Sequence, residues 1–130
     1  MVPAASLAWI EPLDGVATML ELGDKCAKGQ PPYKDWFESI GIRHTSVDWN
    51  GLHGALPLDL RQPLNLGRFD MVTNIGTTEH VSEQEPCWRN IAEATGKWFV
   101  SMTPCPGYWP RHGFWYPAPD FYRSFADLNG

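Results

Sequence analysis

Hydrophobic positions along the chain change period several times, and each change marks an element. Val16-Ala-Thr-Met-Leu-Glu-Leu-Gly23 is a short apolar run closed by an acid and a glycine, the pattern of a buried parallel strand running into a tight loop. Trp36, Phe37 and Ile40 then recur at helical spacing within residues 33–40. Gly41 follows as a stop, and Pro31 and Pro32 suit the first turn. Residues 44–49 are β-branched and alternating, which predicts a second strand with Asp48 at its carboxyl end and Asn50-Gly51 turning out of it. Residues 55–60 are extended in character, but Pro57 confines them to an edge or a loop.

Residues 69–74 predict a third strand that leaves through Ile75-Gly76. Ser82 and Glu85 stand at capping-box spacing before a helix that runs through Trp88, Ile91 and Ala92 to Thr95 and closes at Gly96. Pro86 fits the first turn of that helix. Lys97 to Met102 predicts a fourth strand. A Pro/Gly/aromatic loop over residues 103–119 precedes a last helix from Asp120, with Phe121, Phe125 and Leu128 on one face. This order predicts one α/β domain over residues 1–130, a three-layer sandwich around a Rossmann-like, mostly parallel sheet of four to five strands. Such sheets bind ligands at the carboxyl ends of their strands, where the strand order reverses. The residues at those ends, Glu21 to Gly23, Asp48, Asp59 and Asn74 to His80, are therefore the candidates for chemistry.

Composition narrows the class. With 43% hydrophobic and 19% charged residues, the chain is a globular one rather than a disordered one. Its net charge of −5 and the lack of a basic run argue against a nucleic-acid partner. The longest uncharged stretch, Trp98 to Pro110, is interrupted by Pro104, Pro106 and Gly107 and is too short for a membrane span. The N-terminus lacks the basic opening of a signal peptide. Cys26, Cys87 and Cys105 are an odd number without a CxxC pair, and His44, His53, His80 and His112 are scattered. Reduced thiols in a cytoplasmic protein, with no metal, are the expectation.

The ordered series MLELG, SVDWN, LPLDL and FDMVTNIGTTEHV resembles class I S-adenosylmethionine-dependent methyltransferases, and the likeness covers about residues 16–128. The resemblance implies S-adenosylmethionine as cofactor. Glu21 and Gly23 would back its methionine part, Asp48 would hold the ribose, and Asp59 and the Leu60 backbone would meet the adenine. The chemistry agrees, since a carboxylate accepts both ribose hydroxyls by charge-assisted hydrogen bonds. The resemblance also implies that Asn74 and His80 lie near the transferable methyl, with His80 as a candidate base. The loop from Tyr108 to Tyr116 would shape a substrate pocket. A dinucleotide site would want GxGxxG, which ELGDKCAKG lacks.

Three departures stand out: Asp24, Lys25 and Cys26 replace further loop glycines, too few residues separate Trp49 from Leu56 for a helical crossover, and the chain ends before the family's last two strands. A minimal version of the fold is expected. The function implied is methyl transfer to a small-molecule acceptor by in-line displacement. Gly23→Ala should then hurt binding more than folding. A different class of answer is a non-catalytic module that keeps the fold and binds a ligand or partner. A hydrolase using Glu79, His80 and His112, with or without a metal, is a third, although their spacing fits no ligand pattern. Asp48 and Asn74 to Thr78 are also ordinary turn formers. An open edge at the fourth strand, with the aromatic loop and the last helix beside it, leads to the expectation of a homodimer.

Overall fold

The computed structural model describes residues 13–26 and 28–130; the N-terminal segment read for a signal peptide lies largely outside them. Four strands form one sheet: β1 (Thr18–Leu22), β2 (Arg43–Val47), β3 (Phe69–Ile75) and β4 (Thr95–Met102). All neighbours are parallel and the order is β2-β1-β3-β4. Three helices accompany them: α1 (Tyr33–Ser39), α2 (Gln84–Ala94) and α3 (Pro119–Asn129).

Alternation along β1 explains the layers. Met19 points to one face, into a cluster with Tyr33 and Phe37 of α1, Ile42, Met71, Ile75 and Val100. Leu20 and Leu22 point to the other, where Val47, Val72, Cys87, Trp88 and Ile91 surround them. Because both faces are covered, β1 is buried throughout its last four residues. At the start of the sheet, the Asp70 carboxylate accepts hydrogen bonds from the backbone N–H groups of Ala17 (2.9 Å) and Thr18 (3.1 Å). That pairing fixes where β1 enters against β3.

The route from β2 to β3 has no α-helix. A short 3₁₀ turn (Leu52–Gly54) leads into an extended segment that pairs with the sheet at a bridge between Leu56 and Val47 and packs Leu60 on its face. The loop reading of residues 55–60 and the missing crossover helix therefore both hold.

Two sequence expectations need correction. Ser82 does not cap α2, whose N-cap is Glu83 with no side-chain hydrogen bond. Instead the Gln84 amide donates to the Thr78 and Val81 carbonyls, and its oxygen accepts from the Trp88 indole (2.9 Å). Gly96 does not end the helix; it lies inside β4. A Cβ there would stand 2.7 Å from the Phe69 carbonyl oxygen, so the glycine serves a close approach of two strands. The register slips by one residue at this point, Phe69 facing Thr95 and Met71 facing Trp98.

β4 is an edge strand, as the sequence predicts. The apolar face of α3, however, is used within the chain: Phe121 and Phe125 pack edge-on against Trp88, at ring-centroid distances of 4.7 and 5.2 Å. Leu128 is left exposed. No helix among the described residues is long and apolar enough to cross a membrane.

Candidate functional site

Because β2 lies on one side of β1 and β3 on the other, the loops leaving β1 and β3 diverge, and a crevice opens between them. A cavity of about 390 Å³ fills it, within the range of small-molecule sites. Gly23 and Lys25 of the first loop, Asp48 and Trp49 beyond β2, Asp59 to Arg61, and Thr77 and His80 beyond β3 contribute to its walls. A second cavity of about 560 Å³ adjoins it, lined by Glu79, His80, Trp109 and His112 among others. Lys25, Gly76 and His80 belong to both walls.

Gly23 has φ +89°, and its N–H donates to the Val47 carbonyl (2.8 Å). Lys25 crosses the crevice and donates from Nζ to the Gly76 carbonyl (2.9 Å), tying the first loop to the third. Asp48 accepts from the Asp24 N–H at Oδ2 (2.8 Å) and from the Asn50 N–H at Oδ1 (3.1 Å). A carboxylate offers about four lone-pair sites, so each oxygen retains capacity for a ligand hydroxyl. Asp59 is gripped by the Arg61 guanidinium through Nε and Nη2 (2.9 Å at the closest), which holds its carboxyl below the usual range. Leu60 is buried in the wall behind it. Trp49 is 69% exposed and lies on the same wall as Asp48.

Two of the expected residues are placed elsewhere. Glu21 is 1% exposed, within β1, and its Oε1 lies 2.9 Å from His44 Nε2. It does not line the cavity, and burial pushes its carboxyl above the usual range against the pull of His44. Asn74 is fully buried: its amide donates to Thr78 Oγ1 (2.8 Å) and Ser101 Oγ (3.1 Å), and its oxygen accepts from the Thr78 N–H (3.1 Å). Asn74 therefore braces the 3₁₀ turn Thr78–His80 from below rather than facing a ligand.

That turn delivers the residues that sequence spacing undervalues. His80 is half exposed between the two cavities, and burial lowers its pKa against the pull of Glu79, with His112 and Lys25 adding to the depression. Glu79 beside it is 1% exposed, and neither carboxylate oxygen has a hydrogen-bond partner. His112 arrives from the aromatic loop, its ring 4.6 Å from that of His80 and stacked flat on Trp109 at 3.6 Å. Glu79, His80 and His112 thus meet although His80 and His112 are 32 positions apart along the chain. Lys25, Trp49 and Arg61, unlike these three, were not among the sequence candidates. A tryptophan directly after the strand-end acid was the available signal for Trp49.

No family model, no curated protein and no solved structure matches the chain. Fold and site geometry therefore carry the functional reading.

Proposed function

We propose that this protein transfers a methyl group from S-adenosylmethionine to a small-molecule acceptor, on a methyltransferase-like form of the parallel α/β fold. The observation that carries the reading is the cavity at the β1–β3 crevice, with Asp48 at the end of β2 and Gly23 at the end of β1 on its wall. Asp48 has lone pairs left for two adjacent hydroxyls. The exposed indole of Trp49 and the Asp59–Arg61 pair offer a flat apolar face and a polar edge to an adenine. Lys25, standing between the two cavities, gives a counter-charge to the carboxylate of the methionine part. In this reading the acceptor occupies the second cavity.

In the reaction the acceptor's lone pair attacks the methyl carbon, the carbon–sulfur bond breaks and its electron pair returns to sulfur. S-adenosylhomocysteine leaves, and the acceptor's proton departs toward the group formed by Glu79, His80 and His112. Catalysis comes chiefly from holding nucleophile, methyl and sulfur in line.

Calorimetry with S-adenosylmethionine and S-adenosylhomocysteine tests the reading. Saturable binding of both is expected, and Asp48→Ala should weaken it by about 1.5–3 kcal/mol, the scale of a hydrogen bond to a charged group. Absence of binding to the folded protein, or equal affinity in a folded Asp48→Ala variant, would overturn it.

A further inference from the structure

Three metal-binding side chains converge on the wall of the second cavity. We propose that Glu79, His80 and His112 hold a divalent first-row metal ion, zinc by its ligand set, with an open coordination position facing that cavity. The site is argued from these residues alone and stands or falls apart from methyl transfer.

The donor atoms of the three side chains all lie within 4.8 Å of one another. Glu79 Oε1 is 3.8 Å from His80 Nε2 and 3.7 Å from His112 Nε2. These separations are too long for hydrogen bonds, but they suit ligands of one ion. Metal–ligand bonds of about 2.0–2.1 Å at tetrahedral angles set neighbouring ligand atoms about 3.3 Å apart. The two Glu79–imidazole pairs need close by only about half an ångström, and the two imidazoles, whose donor atoms lie within 4.8 Å of each other, close the rest by side-chain rotation.

The second and independent observation is Glu79 itself. Its carboxylate is almost wholly removed from solvent, and both oxygens lack a hydrogen-bond donor. Buried carboxylates are paired or bind metals. Two imidazoles a little beyond bonding distance on one side of it, with no donor reaching either oxygen, fit the second case.

The surroundings hold the ligands in place. The segment carrying His112 docks on the Glu79 backbone: the Phe114 N–H donates to the Glu79 carbonyl, and the Gly113 N–H donates to the Tyr116 hydroxyl (2.8 Å). That hydroxyl in turn donates to the Trp109 carbonyl, closing the loop on itself. Trp109 lies flat against the His112 ring and fixes its plane. On the other side Asn74 fixes the turn that bears Glu79 and His80.

Two imidazoles and one carboxylate are the ligand set of catalytic zinc sites, in which the fourth position takes water or substrate. Here that position opens onto the second cavity, so an oxygen or nitrogen donor of a bound molecule would fill it. A metal so placed acidifies the donor it binds. His80 Nε2 cannot hold the ion and accept a proton at once, so in the metal-bound protein the ion replaces His80 as the group that helps the acceptor lose its proton.

The test uses tag-free, chelator-stripped protein and the metal alone. Titration with Zn²⁺ by calorimetry should show one tight equivalent, and Co²⁺ should give the visible bands of a low-coordinate site that Zn²⁺ then bleaches. Glu79→Gln, which keeps the shape and removes the charge, and His112→Ala should each weaken binding at least about 10-fold, the scale on which even an outer partner of a metal ligand is felt. His53→Ala, which removes an exposed imidazole that pairs with Asp24 and is not one of the three ligands, should bind as the parent does. Circular dichroism establishes that each variant is folded, and His112→Gln replaces His112→Ala if the latter is not. Lack of saturable Zn²⁺ binding by the folded parent would overturn the proposal. So would parental affinity in both folded ligand variants.

Discussion

Gly113 passes so close to Glu79 that a Cβ at position 113 would stand 2.3 Å from the Glu79 carbonyl oxygen. The contact is backbone against backbone, so no side chain can swing aside to relieve it. It joins the aromatic loop to the 3₁₀ turn after β3, and it sets His112 beside Glu79. Gly113→Ala should therefore cost about 1–3 kcal/mol of stability, the usual penalty of overpacking, read as a lower urea midpoint at unchanged slope. An unchanged midpoint would mean that the loop docks elsewhere.

The surroundings of Gly23 add a folding cost to the expected loss of binding in Gly23→Ala. The glycine's φ of +89° is strained for any other residue, and a Cβ would lie 2.7 Å from both Lys25 Cε and Thr77 Oγ1. Thr77 cannot easily yield, because its hydroxyl donates to the Leu22 carbonyl (2.6 Å). Gly23→Ala should lower stability by at least about 1–2 kcal/mol, the cost of a left-handed conformation, together with ligand affinity. A melting temperature equal to the parent's, measured by circular dichroism, would show that the first loop has room to rearrange.

The three thiols should separate by reactivity. Burial pushes the Cys87 thiol up to about 12, whereas Cys26 and Cys105 are exposed. Since the thiolate is the reacting species, iodoacetamide near pH 8 should label positions 26 and 105 quickly and position 87 only after unfolding. Peptide mass spectrometry reads this directly. Early labelling of Cys87 would mean that the α2 side of the core opens readily.

Acid should act through the start of the sheet. Hydrogen bonds from the Ala17 and Thr18 N–H groups hold the Asp70 carboxyl below its ordinary value. A carboxyl depressed in the folded state adds stability above its unfolded pKa of about 3.9, and that stability is lost as pH falls through the folded value. The urea midpoint of the parent should thus drop below about pH 4, and Asp70→Ala should flatten that part of the curve while lowering the neutral plateau. Identical curves for the two proteins would remove Asp70 from the acid response.

Much of the fold was legible because the strands are buried on both faces. Runs such as Met19 to Leu22 and Met71 to Ile75 lose the regular alternation of polar and apolar positions when helices cover both sides, and that shows in one dimension. Gly96 misled because a strand glycine that admits a neighbouring carbonyl looks like a helix stop. Gly23 and Asp48 reach the cavity wall because strand ends in a parallel sheet point to one edge, and Asp59 and Leu60 reach it from the helix-free segment between β2 and β3. Glu21 and Asn74 do not, because alternation aims one into the sheet face beneath α1 and the other under the turn it braces.

The sequence by itself determined the elements, their parallel layout and the edge at which ligands would gather, since periodicity and strand ends are local properties of the chain. Only the tertiary structure decided what gathers there. Lys25 is drawn across to Gly76 by its own ammonium, and His112 is carried back to Glu79 and His80 by a backbone contact of a long loop. Such contacts depend on where a loop lands, which is set by the fit of Gly113 against a carbonyl oxygen and of Trp109 against an imidazole. No spacing along the chain encodes that fit.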